Sequence, residues 1–136
     1  MIPLAVILLK LHLTALVAID GGRLAESRAV SPEIRNLGKL TAYDAGELDR
    51  RLRDLAARSR VALADTPKPA QEQFEALRKL QGVEFDREFL KFNYGANETL
   101  RKQLAGVREL AIFEPIIGQD AWLSGWCLGH CVPRRQ

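Results

Sequence analysis

Few side chains in this 136-residue chain combine the right chemical type with a useful spacing. The densest group is Cys127-Leu128-Gly129-His130-Cys131, which puts three soft metal ligands within five residues. Tetrahedral zinc needs a fourth ligand, and its usual sites come as two spaced pairs. Haem attachment needs Cys-x-x-Cys-His, and the order here is different. The cysteines therefore read as an incidental or disulfide-forming pair. A di-iron carboxylate centre in a helical bundle needs Glu-x-x-His on two helices. Leu9 stands three before His12 and Cys127 three before His130, so neither of the two histidines fits. His12, alone in an apolar run, reads as a hydrogen-bonded or snorkelling core residue. Ser124 beside Gly125 lacks the rest of a Gly-x-Ser-x-Gly elbow. A Cys–His nucleophile in the tail would lack the rigid support such a pair needs. Neither a phosphate-binding Gly-x4-Gly-Lys loop nor a dinucleotide fingerprint is present. Asp44, Asp86 and Glu88 read as exposed or flanking charges; acid–base pairing among them would require tertiary proximity. No catalytic, cofactor-binding or metal-ligating residue is assigned, and no cofactor is expected.

The elements that would have to position any site are helical. The chain is 47% hydrophobic and 27% charged, as in ordinary globular proteins. Aromatics make up only 7% while Leu and Ala dominate, which suits helices better than sheets. No run alternates with period two between hairpin turns. A net charge of +3 is mild and lacks the concentrated basic footprint of a nucleic-acid binder.

The longest amphipathic stretch runs from Ser31 to Val61. Ser31 is placed to cap it, Pro32 sits where a missing N–H is harmless, and Glu33 puts an acid in the first turn. Ile34, Leu37, Thr41, Ala45, Leu48, Leu52 and Leu55 form one helical stripe. The other face carries Glu47–Arg51, Asp49–Arg53 and Asp54–Arg58 at four-residue spacing, with Arg50–Asp54 in reverse order. These charges, and the arginines at 50, 51, 53, 58 and 60, read as a solvated face, not a nucleic-acid stripe. Asp65-Thr66-Pro67-Lys68-Pro69 breaks the chain. A shorter helix is expected from Ala70 to Gln81, with Phe74, Leu77 and Leu80 inward and Gly82 as its C-terminal cap. A last long helix is expected from about Glu84 to Phe113. Its stripe is Phe85, Phe89, Phe92, Ala96, Leu100, Leu104, Val107 and Leu110. Gly95 interrupts it, either for close helix contact or because the sequence there is relaxed.

Residues 2–19 are almost wholly apolar, broken by Lys10, His12 and Thr14. A secretory signal should begin with basic residues and end in a small-x-small site, and neither is seen. A membrane span wants roughly 20 apolar residues without a charge at mid-span. A core helix surrounded by neighbours is apolar on most sides and fits best. That helix should continue through the weak point Gly21-Gly22 to about Arg28. From Glu114 onward no helical stripe continues, and Trp122, Trp126, Cys127 and Cys131 crowd into a glycine-containing tail.

Gly22-Arg23-Leu24-Ala25 and Arg28-Ala29-Val30-Ser31-Pro32-Glu33-Ile34-Arg35-Asn36-Leu37-Gly38 carry a resemblance. Asp44 with Leu48-Asp49, Val61-x-Leu63 and Gly82-Val83-Glu84-Phe85-Asp86-Arg87 add to it. Over roughly residues 8 to 111 the chain resembles the domain-of-unknown-function 4142 (DUF4142) family of ferritin-like helical bundles, often exported. The resemblance implies a four-helix bundle without established enzymatic activity, in the periplasm or outside the cell. It also implies an acid where Ala18 stands, and histidines where Ala45 and Asn97 stand. Those departures remove the polar positions from which a family site would be guessed. The tail after Ile112 and the abrupt start match nothing in the family; a shifted reading frame or a misplaced start would account for them.

The expectation is therefore an all-α four-helix bundle over 3–113, with two long helices, one short helix and an apolar N-terminal helix. Residues 114–136 form a divergent tail. The function expected is non-catalytic, through envelope or protein partners, with no nucleic acid. The alternatives are a ferritin-like metal-binding protein and a membrane-attached protein anchored by residues 2–19.

Overall fold

A computed structural model describes residues 4–63 and 72–106. The chain forms four helices: α1 (Leu4–Arg28), α2 (Pro32–Arg58), α3 (Glu72–Arg78) and α4 (Gly82–Gly106). No strand occurs among the described residues. The all-α class and the order of elements are as expected.

The start of α2 follows from its first residues. Ser31 is extended at φ −72° and ψ 128°, and its Oγ accepts from the Ile34 N–H at 3.4 Å. The same hydroxyl donates to Glu33 Oε1 at 2.8 Å, which holds that carboxyl below its ordinary range. The helix stops at Ser59 by a left-handed turn. Arg60 has φ 57°, its N–H bonds to Ala57 O at 3.2 Å, and the Val61 N–H bonds to Ala56 O at 2.8 Å. These two bonds are the paired closure that commonly ends helices, with arginine where glycine is usual. Val61 then packs against the core.

The other boundaries differ from expectation at α3 and α4. α3 ends at Arg78, before Leu80 and Gln81. Gly82, at φ +67°, opens α4 instead of capping α3. Its missing Cβ makes that left-handed backbone free of strain. The stripes are otherwise as the periodicity requires. Thr41, Ala45, Leu48, Leu52 and Leu55 are buried on α2, and Phe85, Phe89, Leu100 and Leu104 on α4. Val107, Leu110, and the 113/114 boundary lie outside the described residues, as does the whole tail.

The core is organised around α1. It packs along both α2 and α4, which approach each other far less closely. The ridges of the amphipathic helices therefore converge on the apolar helix, which explains why α1 is apolar on most sides. One cluster joins Leu8, Leu11, Ala15 and Ala18 to Leu48, Leu52 and Leu100. A second, at the other end, joins Ala25 and Ala29 to Leu77, Phe85 and Phe89. Phe85, Phe89 and Phe92 follow one another at ring-centroid distances of 6.3 and 6.5 Å.

Gly21 and Gly22 are the places where neighbours come closest to α1. A Cβ on Gly22 would stand 2.5 Å from Gly38 O and 2.9 Å from Ala42 N, both backbone atoms of α2. A Cβ on Gly21 would meet the Phe92 ring of α4 at 2.2 Å. The adjacent glycines thus admit two different neighbours. Gly95 has nothing within 4 Å of an added Cβ, so close helix contact does not explain it.

Candidate functional site

The buried charge of the described residues is concentrated in two places. The first is His12 on α1. Its Nδ1 donates to Asp49 Oδ1 of α2 at 2.5 Å, and both residues are only 4% exposed. Arg53 Nε donates to Asp49 Oδ2 at 2.8 Å from one turn further along α2. Each carboxylate oxygen thus has a cationic or N–H partner, as a buried carboxylate requires. His12 was read correctly as a hydrogen-bonded core residue. Asp49 was not: it faces α1, not solvent. Its partner lies 37 residues away in sequence, so only tertiary structure could reveal the pair.

The second place is the turn between α1 and α2. Asp86 of α4 is 7% exposed and accepts the Val30 N–H at 2.9 Å and the Ser31 N–H at 2.8 Å. It sits at the positive end of α2, where an anion is favoured. The expectation that Asp86 is an exposed or flanking charge is therefore wrong. Arg35 Nη1 donates to Ala29 O at 3.0 Å and Val30 O at 3.1 Å, capping the end of α1. Arg28 Nη1 donates to Arg78 O and, at 3.4 Å, to Leu80 O, tying α1 to the segment between α3 and α4. Its guanidinium lies 6.0 Å from the Phe85 ring centroid. Asp44 is half-buried and engaged; Glu88 is half-buried and pairs with Lys91 at 3.4 Å. Asp86 and Glu88 are thus bonded to other groups.

Several further charges form surface pairs. Glu47 pairs with Arg50 at 3.1 Å, and Asp54 pairs with Arg58 at 3.2 Å as expected; Arg51 is engaged as well. Bonding to Glu47 raises the Arg50 pKa, and bonding to Arg101 lowers that of Glu98. Such exposed pairs contribute little to stability.

Three uncharged polar side chains are buried as well. Thr41 and Asn97 are 0% exposed and Asn93 is 3% exposed. Asn97 Nδ2 donates to Asn93 O at 2.7 Å and to Asn93 Oδ1 at 3.1 Å. The contacts of Gly22 with Gly38 and of Gly21 with Phe92 set the helix registers. By those registers Ala18, Ala45 and Asn97 belong to neighbouring turns of one layer. They are 1%, 0% and 0% exposed. The three positions where the resemblance implied ionisable residues are thus core positions, two of them filled by methyl groups.

Apolar grooves complete the picture. One, of about 320 Å³, is lined by Leu13, Thr14, Val17, Phe92, Ala96 and Thr99 between α1 and α4. Its two threonine hydroxyls donate to Lys10 O and Gly95 O of their own helices, at 2.9 and 3.0 Å. A second, of about 250 Å³, lies between α3 and α4 beside Leu77, Leu80 and Lys91. Among the described residues, no three His, Cys, Asp or Glu side chains are grouped to hold a metal. Ser124, Cys127, His130 and Cys131 lie outside them.

Comparison with known proteins identifies a family. The DUF4142 family model, described as a domain of unknown function, matches residues 4–110. No curated protein and no solved structure gave a match. The match takes in α1 to α4 together with the His12–Asp49 and Asp86 fastenings, and the chain therefore belongs to the DUF4142 family.

Proposed function

We propose that this protein is a non-catalytic helical bundle of the cell envelope or exterior that works through contacts on its surface. The observation that carries this reading is what its buried charge does. Asp49 binds His12 and Arg53, and Asp86 binds two backbone N–H groups, so both buried carboxylates fasten helices together. A catalytic acid or base needs a proton-transfer position facing substrate, and these carboxylates are buried with both oxygens bonded within the fold. The surface offers apolar contact area instead: Tyr43 is 66% exposed and Tyr94 46% exposed. Aromatic side chains of this kind favour protein contacts.

The envelope location is supported by the family resemblance and by α1. That helix is long and apolar enough to cross a membrane, with a mean hydropathy of 1.9 over its most apolar stretch. The same property supports a second reading, attachment to a membrane through residues 2–19. Fractionation of cells expressing the chain from its own gene separates the readings. Recovery in the periplasm or medium without detergent is the expected result. Recovery only in the cytoplasm would overturn the location, and recovery only with detergent would favour attachment. Metal analysis of the purified protein tests the ferritin-like alternative. Stoichiometric iron, zinc or manganese would establish metal binding and contradict the metal-free bundle proposed here.

A further inference from the structure

We infer that the interior between α1, α2 and α4 contains a binding site for a water molecule held by Asn97 and Thr41. Both residues are 0% exposed. Asn97 gives its amide hydrogens to Asn93, and Asn97 Oδ1 is left buried without a hydrogen-bond partner. Thr41 Oγ1 is likewise buried and unpartnered. The other helical threonines do the ordinary thing. Thr14 and Thr99 each donate to the carbonyl four residues earlier, at 2.9 and 3.0 Å. Thr41 makes no such bond among the described residues.

The close contacts Gly22–Gly38 and Gly21–Phe92 place Thr41 on α2 and Asn97 on α4 within about a turn of each other in height along α1. Over the same turns α1 buries Ala15 and Ala18, whose methyl groups leave more room than Leu8 and Leu11 nearer its start. Orphaned polar atoms in protein interiors are commonly served by ordered water making two to four hydrogen bonds. Two neutral oxygens suit a neutral donor of that size. A hard cation would require several oxygens, carboxylates among them. The half-buried Asp44 in this region already has a partner.

A crystal structure of the full chain at high resolution tests the assignment. The expected result is a solvent peak within about 3.2 Å of both Asn97 Oδ1 and Thr41 Oγ1. Finding both atoms bonded to protein groups, or packed only against carbon, would overturn it. Thr41→Val gives an independent readout by its sign. If water bridges the two residues, removing the hydroxyl raises the unfolded-to-folded ratio, by about fivefold. A stabilised Thr41→Val variant would show a dry, frustrated hydroxyl and contradict the inference.

Discussion

At the scale of single residues, buried carboxylates with specific partners fasten the helices together. His12→Leu should destabilise the protein by about 1–3 kcal/mol, the range for a lost buried hydrogen bond to a charged group. Asp49→Leu should cost more, because it strands His12 and releases Arg53. The double variant should lose less than the two singles together, with a coupling of about 0.5–3 kcal/mol in denaturant melts. Strict additivity would mean the His12–Asp49 contact carries no energy. Asp86→Ala removes the acceptor of both the Val30 and Ser31 N–H groups. It should lower stability by about 2–3 kcal/mol by the same measurement. None of this could be read from spacing. Asp49–Arg53 has the same four-residue pattern as the exposed Asp54–Arg58 pair. Which of two such acids is buried depends on what the neighbouring helix brings to it, and His12 lies 37 residues away.

At the scale of elements, glycines give the sharpest contrast. Gly38→Ala would place a methyl group 2.6 Å from Gly22 O and 2.7 Å from Ala25 Cβ, so backbones must separate. It should destabilise by about 1–3 kcal/mol, the range for overpacking. Gly46→Ala, eight residues along the same helix with nothing within 4 Å, should stabilise by about 0.5–1 kcal/mol. Thermal melts of the two variants should therefore move in opposite directions; two shifts of one sign would contradict the α1–α2 crossing. Arg60→Gly should also raise stability, by about 0.5–1 kcal/mol, because Arg60 holds φ 57°. A lowered melting temperature would show that the arginine side chain matters more than its backbone strain. The stripes of α2 and α4 were legible because one face meets the core and the other meets water. The packing role of Gly21, Gly22 and Gly38 was not, since a helical glycine looks the same in sequence whether packed or open.

At the scale of the whole molecule, the central claim is that α1 is the helix on which α2 and α4 converge. Its position was partly legible. An apolar run of this length excludes a free surface helix, but an apolar run has no polar side to show which way it faces. The structure supplies the direction through Gly21 against Phe92, Gly22 against Gly38, and His12 against Asp49. The same convergence explains why Ala18, Ala45 and Asn97 are buried. Hydrogen exchange of the α1 amides in the purified, detergent-free chain tests this claim most directly. Amides from Leu8 to Ala25 should exchange only through global unfolding, as slowly as the slowest in α2 and α4. Exchange of the α1 amides at rates near those of free peptide, while α2 and α4 stay protected, would contradict it.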